Sequence, residues 1–299
     1  MAIRSPFFYV GDKYKLMPQL LSLFPSNIDT YIEPFFGGGS SMMNVTASNY
    51  SMNDIDNNVV ALHNFLLSFS NKKETFFKEL FSMINQYGFS CSYLKDVIPQ
   101  DLKKKYPKTY YAKFNKIQYK HLKDDFNHEG KTDYLKLYLL LIYGFNHMIR
   151  FNSNGDFNLP VGNVDFNKNV YEALNNYFDI TSRRVINVCS LDFEHFLRAK
   201  TISNNDFIYL DPPYLISLSE YNKLWGVEDE QRLYNLLDFL NKKGVKFGIT
   251  NLLKHKGKTN ELFQKFSSKY KRVIIKSNYI SFNDNTIKDE SVELFVFNY

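Results

Sequence analysis

Hydrophobic positions fall along the chain as short apolar runs alternating with helical stripes, the layout of a layered α/β protein. Tyr31-Ile32-Glu33-Pro34-Phe35-Phe36 reads as a strand running into Gly37-Gly38-Gly39-Ser40-Ser41, after which Met42 to Ala47 begins a helix. Tyr50 to Asp56 is a second short strand ending in acidic residues, followed by an apolar helix over Val59 to Phe69. Strand, glycine turn, helix and strand in this order make the β-α-β start of a doubly wound sheet. From about 71 to 179 the pattern changes to lysine-rich helical stretches, an apolar helix over Asp133 to Ile142 and an asparagine-rich tract with few strand signals. In that tract Asn152-Ser153-Asn154-Gly155-Asp156 separates Ile149-Arg150-Phe151 from Phe157-Asn158-Leu159, and its Asn-Gly pair predicts a hairpin or ordered loop. Strand signals return at Val185 to Val188, Phe207 to Leu210 and Val245 to Thr250, with a helix over Glu228 to Lys242. Arg272 to Lys276 and Val292 to Phe297 are predicted to pair antiparallel at the sheet edge, because the polar loop between them is too short for a parallel crossover.

Composition narrows the class. A chain of 299 residues with 44% hydrophobic, 23% charged and 17% aromatic residues can bury a full core and is not disordered throughout. Cys91 and Cys189 are too few for a disulfide scaffold or a four-cysteine zinc site, and the histidines lack metal-ligand spacing, so no metal is expected. No long apolar segment follows Arg4 and no window approaches a membrane span, which argues for a reducing, cytoplasmic setting with no membrane partner. The net charge is +6, and Lys95 to Lys136 alone hold eleven lysines against six acidic residues. Tyr106, Tyr110, Tyr111, Phe114 and Tyr119 interleave with these lysines. That pattern suits a phosphate backbone with bases nearby, and equally a solvated helix face over a core.

Two motifs carry chemistry. The glycine turn lets a ligand approach the backbone, and Asp54 at the next strand end suits ribose hydroxyls, a pattern open to any nucleoside cofactor. Asp211-Pro212-Pro213-Tyr214 follows the apolar strand Phe207 to Leu210, so the carboxylate stands at a strand's carboxyl end, where open α/β sheets bind ligands. An exocyclic amine on a nucleobase is a poor nucleophile because its lone pair is delocalised into the ring. If that amine donates to Asp211 and to the Pro212 carbonyl while Tyr214 stacks on the base, the lone pair localises towards an incoming methyl group. Pro212 and Pro213 fix the turn and remove competing N–H donors. A base within a duplex cannot reach such a pocket without being flipped out.

The two motifs in this order resemble the Dam-like, or D12 class, family of N6-adenine-specific DNA methyltransferases. So do Tyr9-Val10-Gly11-Asp12-Lys13-Tyr14, Asn53 to Asp56, Tyr143 to Asn146, Arg150 to Pro160 and Glu293 to Tyr299, over nearly the whole chain. The resemblance implies a Rossmann-like S-adenosyl-L-methionine-dependent methyltransferase domain over 1–70 and 180–299, with a mainly helical DNA target-recognition domain inserted at 71–179. It implies site-specific methylation of adenine N6 in double-stranded DNA, with Asp211, Pro212, Pro213 and Tyr214 catalytic, and a separate restriction endonuclease as companion on the same site. S-adenosyl-L-methionine would lie across the strand ends, with Asp54 on its ribose and Phe36 to Gly39 near its methionine moiety. The cofactor set implied is Tyr9, Lys13, Glu33, Pro34, Phe35, Phe36, Gly37, Gly39, Ser40, Asp54, Asp192, Phe193 and Asp211. In it Lys13 would pair with the cofactor carboxylate, Tyr9 would face the sulfonium, and Asp192 would accept from the cofactor adenine or else cap a helix. For DNA, Arg150 would read a guanine edge, Phe145 and Asn146 would lie beside the flipped base, Met148 at the bases, and Asn152 and Pro160 near the recognition site.

Phe8 departs from the lysine that GATC-reading members carry at that place, which leaves the outer base pair unassigned. Trp225, the single tryptophan, follows the loop Leu215 to Leu224 and either caps the site or packs a helix. The rival readings are an RNA or single-strand methyltransferase, a catalytically silent DNA-binding regulator, and a nicotinamide oxidoreductase. The last lacks the spaced Gly-x-Gly-x-x-Gly fingerprint and leaves Asp211 to Tyr214 unexplained.

Overall fold

A computed structural model describes residues 2–9, 11–95, 98–217, 225–276 and 291–299. The expectations that touch Val10, the far part of the Leu215 to Leu224 loop and the polar connection at 277–290 lie outside the described residues. In chain order the first half carries α1 (Met17–Leu21), β1 (Thr30–Glu33), α2 (Ser40–Asn44), β2 (Asn49–Asn53), α3 (Asn57–Leu67), α4 (Lys73–Tyr87), α5 (Gln100–Lys105), α6 (Tyr110–His128) and α7 (Tyr134–Tyr143). The second carries α8 (Lys168–Thr181), β3 (Ile186–Cys189), α9 (Phe193–Arg198), β4 (Phe207–Leu210), α10 (Val227–Lys242), β5 (Lys246–His255), β6 (Lys258–Thr259), α11 (Glu261–Ser267), β7 (Lys271–Ile275) and β8 (Val292–Phe297).

The strands form one sheet in the order β3-β2-β1-β4-β5-β8-β7, with β6 paired to β5. β1 to β5 run parallel to one another, and β8 is antiparallel to both β5 and β7. The period-two alternation of strand side chains divides the core between the two faces. Tyr31, Phe207 and Tyr209 point into a cluster with α3, α4, α6, α7 and α8, and Ile32, Ile208 and Leu210 into one with α9, α10 and α11. The helices of 73–181 are joined to the sheet by the first cluster, in which Phe76, Tyr138 and Phe178 pack together with Leu62 and Leu66. Among the described residues no helix is long and apolar enough to cross a membrane.

Local chemistry moves several predicted boundaries. The helix after the glycine turn is only Ser40–Asn44, because Val45 is already extended and Tyr50 Oη donates to its carbonyl at 2.9 Å. The second strand stops at Asn53: Asp54 Oδ1 takes the Asp56 N–H at 2.9 Å, and Asp56 caps α3 by accepting from Asn58 N at 2.8 Å. The strand predicted at Val245 to Thr250 continues to His255, carried by pairing with β8 and β6. The Asn-Gly turn closes as expected, with Phe151 bridged antiparallel to Phe157, Asn152 N donating to the Asp156 carbonyl at 2.8 Å and Gly155 at φ +73°.

Candidate active site

The fully buried strand β4 delivers Asp211 to the carboxyl edge of the sheet, and the buried Pro212 turns the chain there. Both carboxylate oxygens are engaged. Oδ1 accepts from Thr250 Oγ1 at 2.9 Å and lies 3.0 Å from Tyr214 Oη, while Oδ2 meets Lys13 Nζ at 2.9 Å. Glu293, fully buried on β8, accepts from Tyr214 Oη at 2.6 Å and lies 3.7 Å from Lys13 Nζ. The Lys13 ammonium also sits 4.9 Å from the centre of the Tyr214 ring. Burial raises the Asp211 carboxyl above its ordinary range, with Lys13 opposing and Glu293 adding to the rise. Burial disfavours charge on Lys13, but Asp211 and Glu293 outweigh it and hold the ammonium above its usual value.

The glycine turn is clamped from several sides. Gly37 and Gly39 have φ of +47° and +79°, which glycine adopts without strain. Gly37 N donates to Asp54 Oδ2 at 2.7 Å, and the Gly37 carbonyl lies 2.8 Å from His63 Nε2. Ser5 Oγ donates to the Gly38 carbonyl, and a Cβ on Gly38 would come within 2.8 Å of Tyr9 Cβ, so the turn packs directly on the N-terminal segment. Glu33, buried at the end of β1, accepts from Ser41 Oγ, and burial keeps its carboxyl well above the usual range. Burial pushes Asp54 up to about 6 against the backbone N–H groups that favour its charge. Asn53 ties three strand ends together: its Nδ2 donates to the carbonyls of Pro34 at 3.1 Å and Leu191 at 2.9 Å, and its carbonyl takes the Phe36 N–H at 2.8 Å.

Asp192 caps α9, accepting from Glu194 N at 3.0 Å, and also pairs with Arg232 at 2.9 Å. Phe193 is buried between Phe35 and Trp225, with ring centres at 5.5 and 5.6 Å. Trp225 meets Phe35 edge-on at 5.5 Å and is partly buried against the second core cluster, one residue before the Gly226 cap of α10. Two large apolar side chains stay open at the same edge, Ile55 at 66% and Leu191 at 44% exposure, next to Asp54 and Asp192.

The residues expected at DNA gather on one loop surface. Phe145, Asn146, Arg150, Asn152 and Pro160 are exposed and Met148 is partly buried. Phe145 N donates to the Pro160 carbonyl at 2.9 Å, and Arg150 is oriented by Asn158, through Nε to Oδ1 at 2.8 Å and a terminal nitrogen to the carbonyl at 3.1 Å. Asn152 Oδ1 accepts from Asn154 N and Asp156 N at 3.0 and 2.9 Å, and so builds the turn. Asn146 and His147 both have positive φ, +54° and +49°, a strained conformation for side-chain-bearing residues. The His147 ring lies 5.4 Å from Phe8, which links this loop to the N-terminal segment beside the glycine turn. In the basic region Tyr119 is buried, while Lys113 and Lys105 lie 5.0 and 5.5 Å from the Tyr106 ring, so lysine and tyrosine share one face.

Sequence reasoning assigned no role to Asn53, His63, Thr250 or Glu293. Glu293 opens the Glu293 to Tyr299 segment already noted, and Thr250 ends an expected strand. His63 sits in the apolar stripe of Val59, Leu62 and Leu66, where a histidine reads as core. Among the described residues no cluster of metal-ligating side chains occurs.

The model of the D12 class N6 adenine-specific DNA methyltransferases matches residues 9–279. Type II methyltransferase M.FokI of Planomicrobium okeanokoites is 32% identical over 99% of this chain and 43% of its own length. Modification methylase StsI of Streptococcus sanguinis is 30% identical, again over 99% of this chain and 43% of its own. Type II methyltransferase M.MjaIII of Methanocaldococcus jannaschii is 25% identical over 99% of both chains. The chain thus spans less than half the length of the first two relatives.

Proposed function

The chain belongs to the D12 class N6 adenine-specific DNA methyltransferase family, and from that premise we propose that it transfers a methyl group from S-adenosyl-L-methionine to N6 of an adenine flipped out of double-stranded DNA. The supporting observation is Asp211, whose Oδ1 is held by Thr250 and Tyr214 while Oδ2 already receives an ammonium over the Tyr214 ring. A carboxylate that accepts from an amine above an aromatic face suits the amino group of a stacked base.

The residues at the strand ends fit the cofactor. Asp54 and Asp192 supply acceptors for ribose hydroxyls and an adenine amino group, and exposed Ile55 and Leu191 supply apolar surface beside them. Phe36 to Gly39 holds the methionine moiety. When bound, S-adenosyl-L-methionine supplies an electrophilic methyl group on its sulfonium. Asp211 Oδ2 accepts from the adenine amine once the base has displaced Lys13, and the Pro212 carbonyl accepts its second hydrogen. Those two bonds localise the nitrogen lone pair, and Tyr214 replaces the stacking lost on flipping. The proton released from N6 is taken at the Asp211 carboxylate.

Residues 1–70 and 180–299 carry the chemistry in this reading, and 71–179 form the recognition domain. Its loop surface presents Arg150 to a guanine edge, and the lysines of α5 and α6 meet the phosphates. A separate restriction endonuclease acting on the same sequence is the expected companion.

The test is transfer of labelled methyl groups from S-adenosyl-L-methionine to unmethylated duplex DNA, with modified positions mapped by sequencing. Label at N6 of adenine in one short sequence supports the proposal. Label that appears in RNA or single strands instead, or in no nucleic acid although the cofactor binds, refutes it.

A further inference from the structure

His63 is fully buried in the middle of α3 and belongs to none of the groups discussed as holding cofactor or base. Its imidazole lies between two aromatic rings, Phe7 at 4.1 Å between centres and Phe36 at 4.2 Å. Nε2 lies 2.8 Å from the Gly37 carbonyl, and Nδ1 lies 3.4 Å from Tyr177 Oη on α8. A carbonyl only accepts, so Nε2 carries the ring proton, and Nδ1 is left to accept from the Tyr177 hydroxyl. Burial pushes the imidazole down to about 3, so the ring is neutral across the working range of pH, as this pattern of one donor and one acceptor requires.

The bond matters because of where it lands. In Gly37-Gly38-Gly39 no Cβ restrains the backbone, and a peptide plane there turns over at small cost. The turn is closed by Gly39 N donating to the Phe36 carbonyl at 2.9 Å, and within it the Gly37–Gly38 plane is oriented by what grips it from outside. Asp54 accepts from the Gly37 N–H, in the preceding Phe36–Gly37 peptide, at 2.7 Å, and His63 donates to the Gly37 carbonyl, in the Gly37–Gly38 peptide itself, so both polar groups of this residue are tied to side chains beyond the turn. In a trans peptide the C=O and the following N–H point in opposite directions. A Gly37 carbonyl held by His63 therefore aims the Gly38 N–H away from α3.

We propose that His63 is a positioning residue for the cofactor turn: as a neutral Nε2–H donor with the Tyr177 hydroxyl facing its Nδ1, it sets the Gly37–Gly38 peptide, and so the backbone donor offered to the methionine moiety of S-adenosyl-L-methionine. This rests on the reading that Phe36 to Gly39 holds that cofactor. Because Tyr177 lies on α8, the same contact couples the helical region to the cofactor turn.

His63→Phe keeps an aromatic ring and loses the donor, whereas His63→Gln keeps an N–H at the place of Nε2 and loses the ring. By calorimetry and steady-state kinetics, His63→Phe weakens cofactor binding and raises the cofactor KM roughly three- to tenfold, the effect of one hydrogen bond. Its kcat at saturating cofactor and DNA stays within about twofold of wild type, and His63→Gln binds cofactor within about twofold of wild type. Wild-type affinity in His63→Phe, or equal weakening in both variants in step with lost thermal stability, overturns the proposal. Nitrogen NMR of the unaltered protein is a second test that needs no variant to fold. The Nε2–H tautomer of His63 is expected at pH 7, and an Nδ1–H tautomer or an imidazolium overturns the assignment. Failure of the wild-type protein to bind the cofactor would overturn the reading of the turn itself.

Discussion

The Asp211 site and the Arg150 loop are built in opposite ways. Around Asp211 the partners come from far apart in the chain: Lys13 from the N-terminal segment, Thr250 from β5 and Glu293 from β8, all largely withdrawn from water. Around Arg150 and Asn152 the partners are near neighbours, Asn158 and Asp156, and the side chains are exposed. A buried carboxylate gains strength from low dielectric and needs its geometry fixed in advance. A surface that reads DNA needs exposed donors on a loop whose shape local turns maintain and whose residues can change without disturbing the core.

Four changes would break or sharpen this contrast. Asp211→Ala removes the amine acceptor and is expected to lower kcat on the order of a thousandfold or more in the labelled-methyl assay. Lys13 retains Glu293 as a partner, so circular dichroism should show an unchanged fold; full activity would refute the mechanism. Arg150→Ala leaves the fold intact and relaxes discrimination at one base pair by roughly ten- to a hundredfold in kcat/KM measured on matched and mismatched duplexes. An unchanged ratio would remove Arg150 from recognition. Glu293→Gln keeps the shape but takes away the second charge beside Lys13 and Tyr214. A fall in kcat of about tenfold with little change in the KM for DNA is expected, as for an interaction that matters in the transition state rather than in binding.

The smallest effect concerns Asp54, whose carboxyl is held at about 6 by burial. The folded protein therefore takes up a proton at this residue below about pH 6 that the unfolded chain takes up only nearer its ordinary range. Asp54 alone thus makes the fold relatively more stable as pH falls through 6. Cofactor binding should move the other way, because a protonated Asp54 is a poorer acceptor for ribose hydroxyls and for the Gly37 N–H. Calorimetric affinity that drops a few-fold between pH 7 and 5, and a flat profile in Asp54→Asn, would bear this out. Equal profiles in both proteins would remove Asp54 from the ribose.

Much of this is legible in the amino-acid sequence. Phe207 to Leu210 announced a buried strand by an uninterrupted apolar run, and the residue after such a strand in a parallel sheet stands at the ligand-binding edge. That made Asp211 visible. The Asn-Gly pair located the turn between Phe151 and Phe157 in the same way, because turn chemistry is local. Less visible were boundaries set by single side-chain bonds: the end of α2 where Tyr50 takes the Val45 carbonyl, and the end of β2 where Asp54 and Asp56 fold the chain into a cap.

The order of apolar runs and turns was enough for the sheet's parallel half and its antiparallel edge pair, and the two motifs were enough to point to the strand ends at Asp211 and the glycine turn, since each depends on residues adjacent in the chain. Only the folded molecule decided that β8 lies between β5 and β7, which brings Glu293 against Lys13 and Tyr214. Only the fold decided that a histidine in an apolar stripe turns its Nε2 to the Gly37 carbonyl. Contacts between residues far apart in sequence depend on strand order and packing, and neither hydrophobic period nor local propensity encodes which distant side chain will arrive.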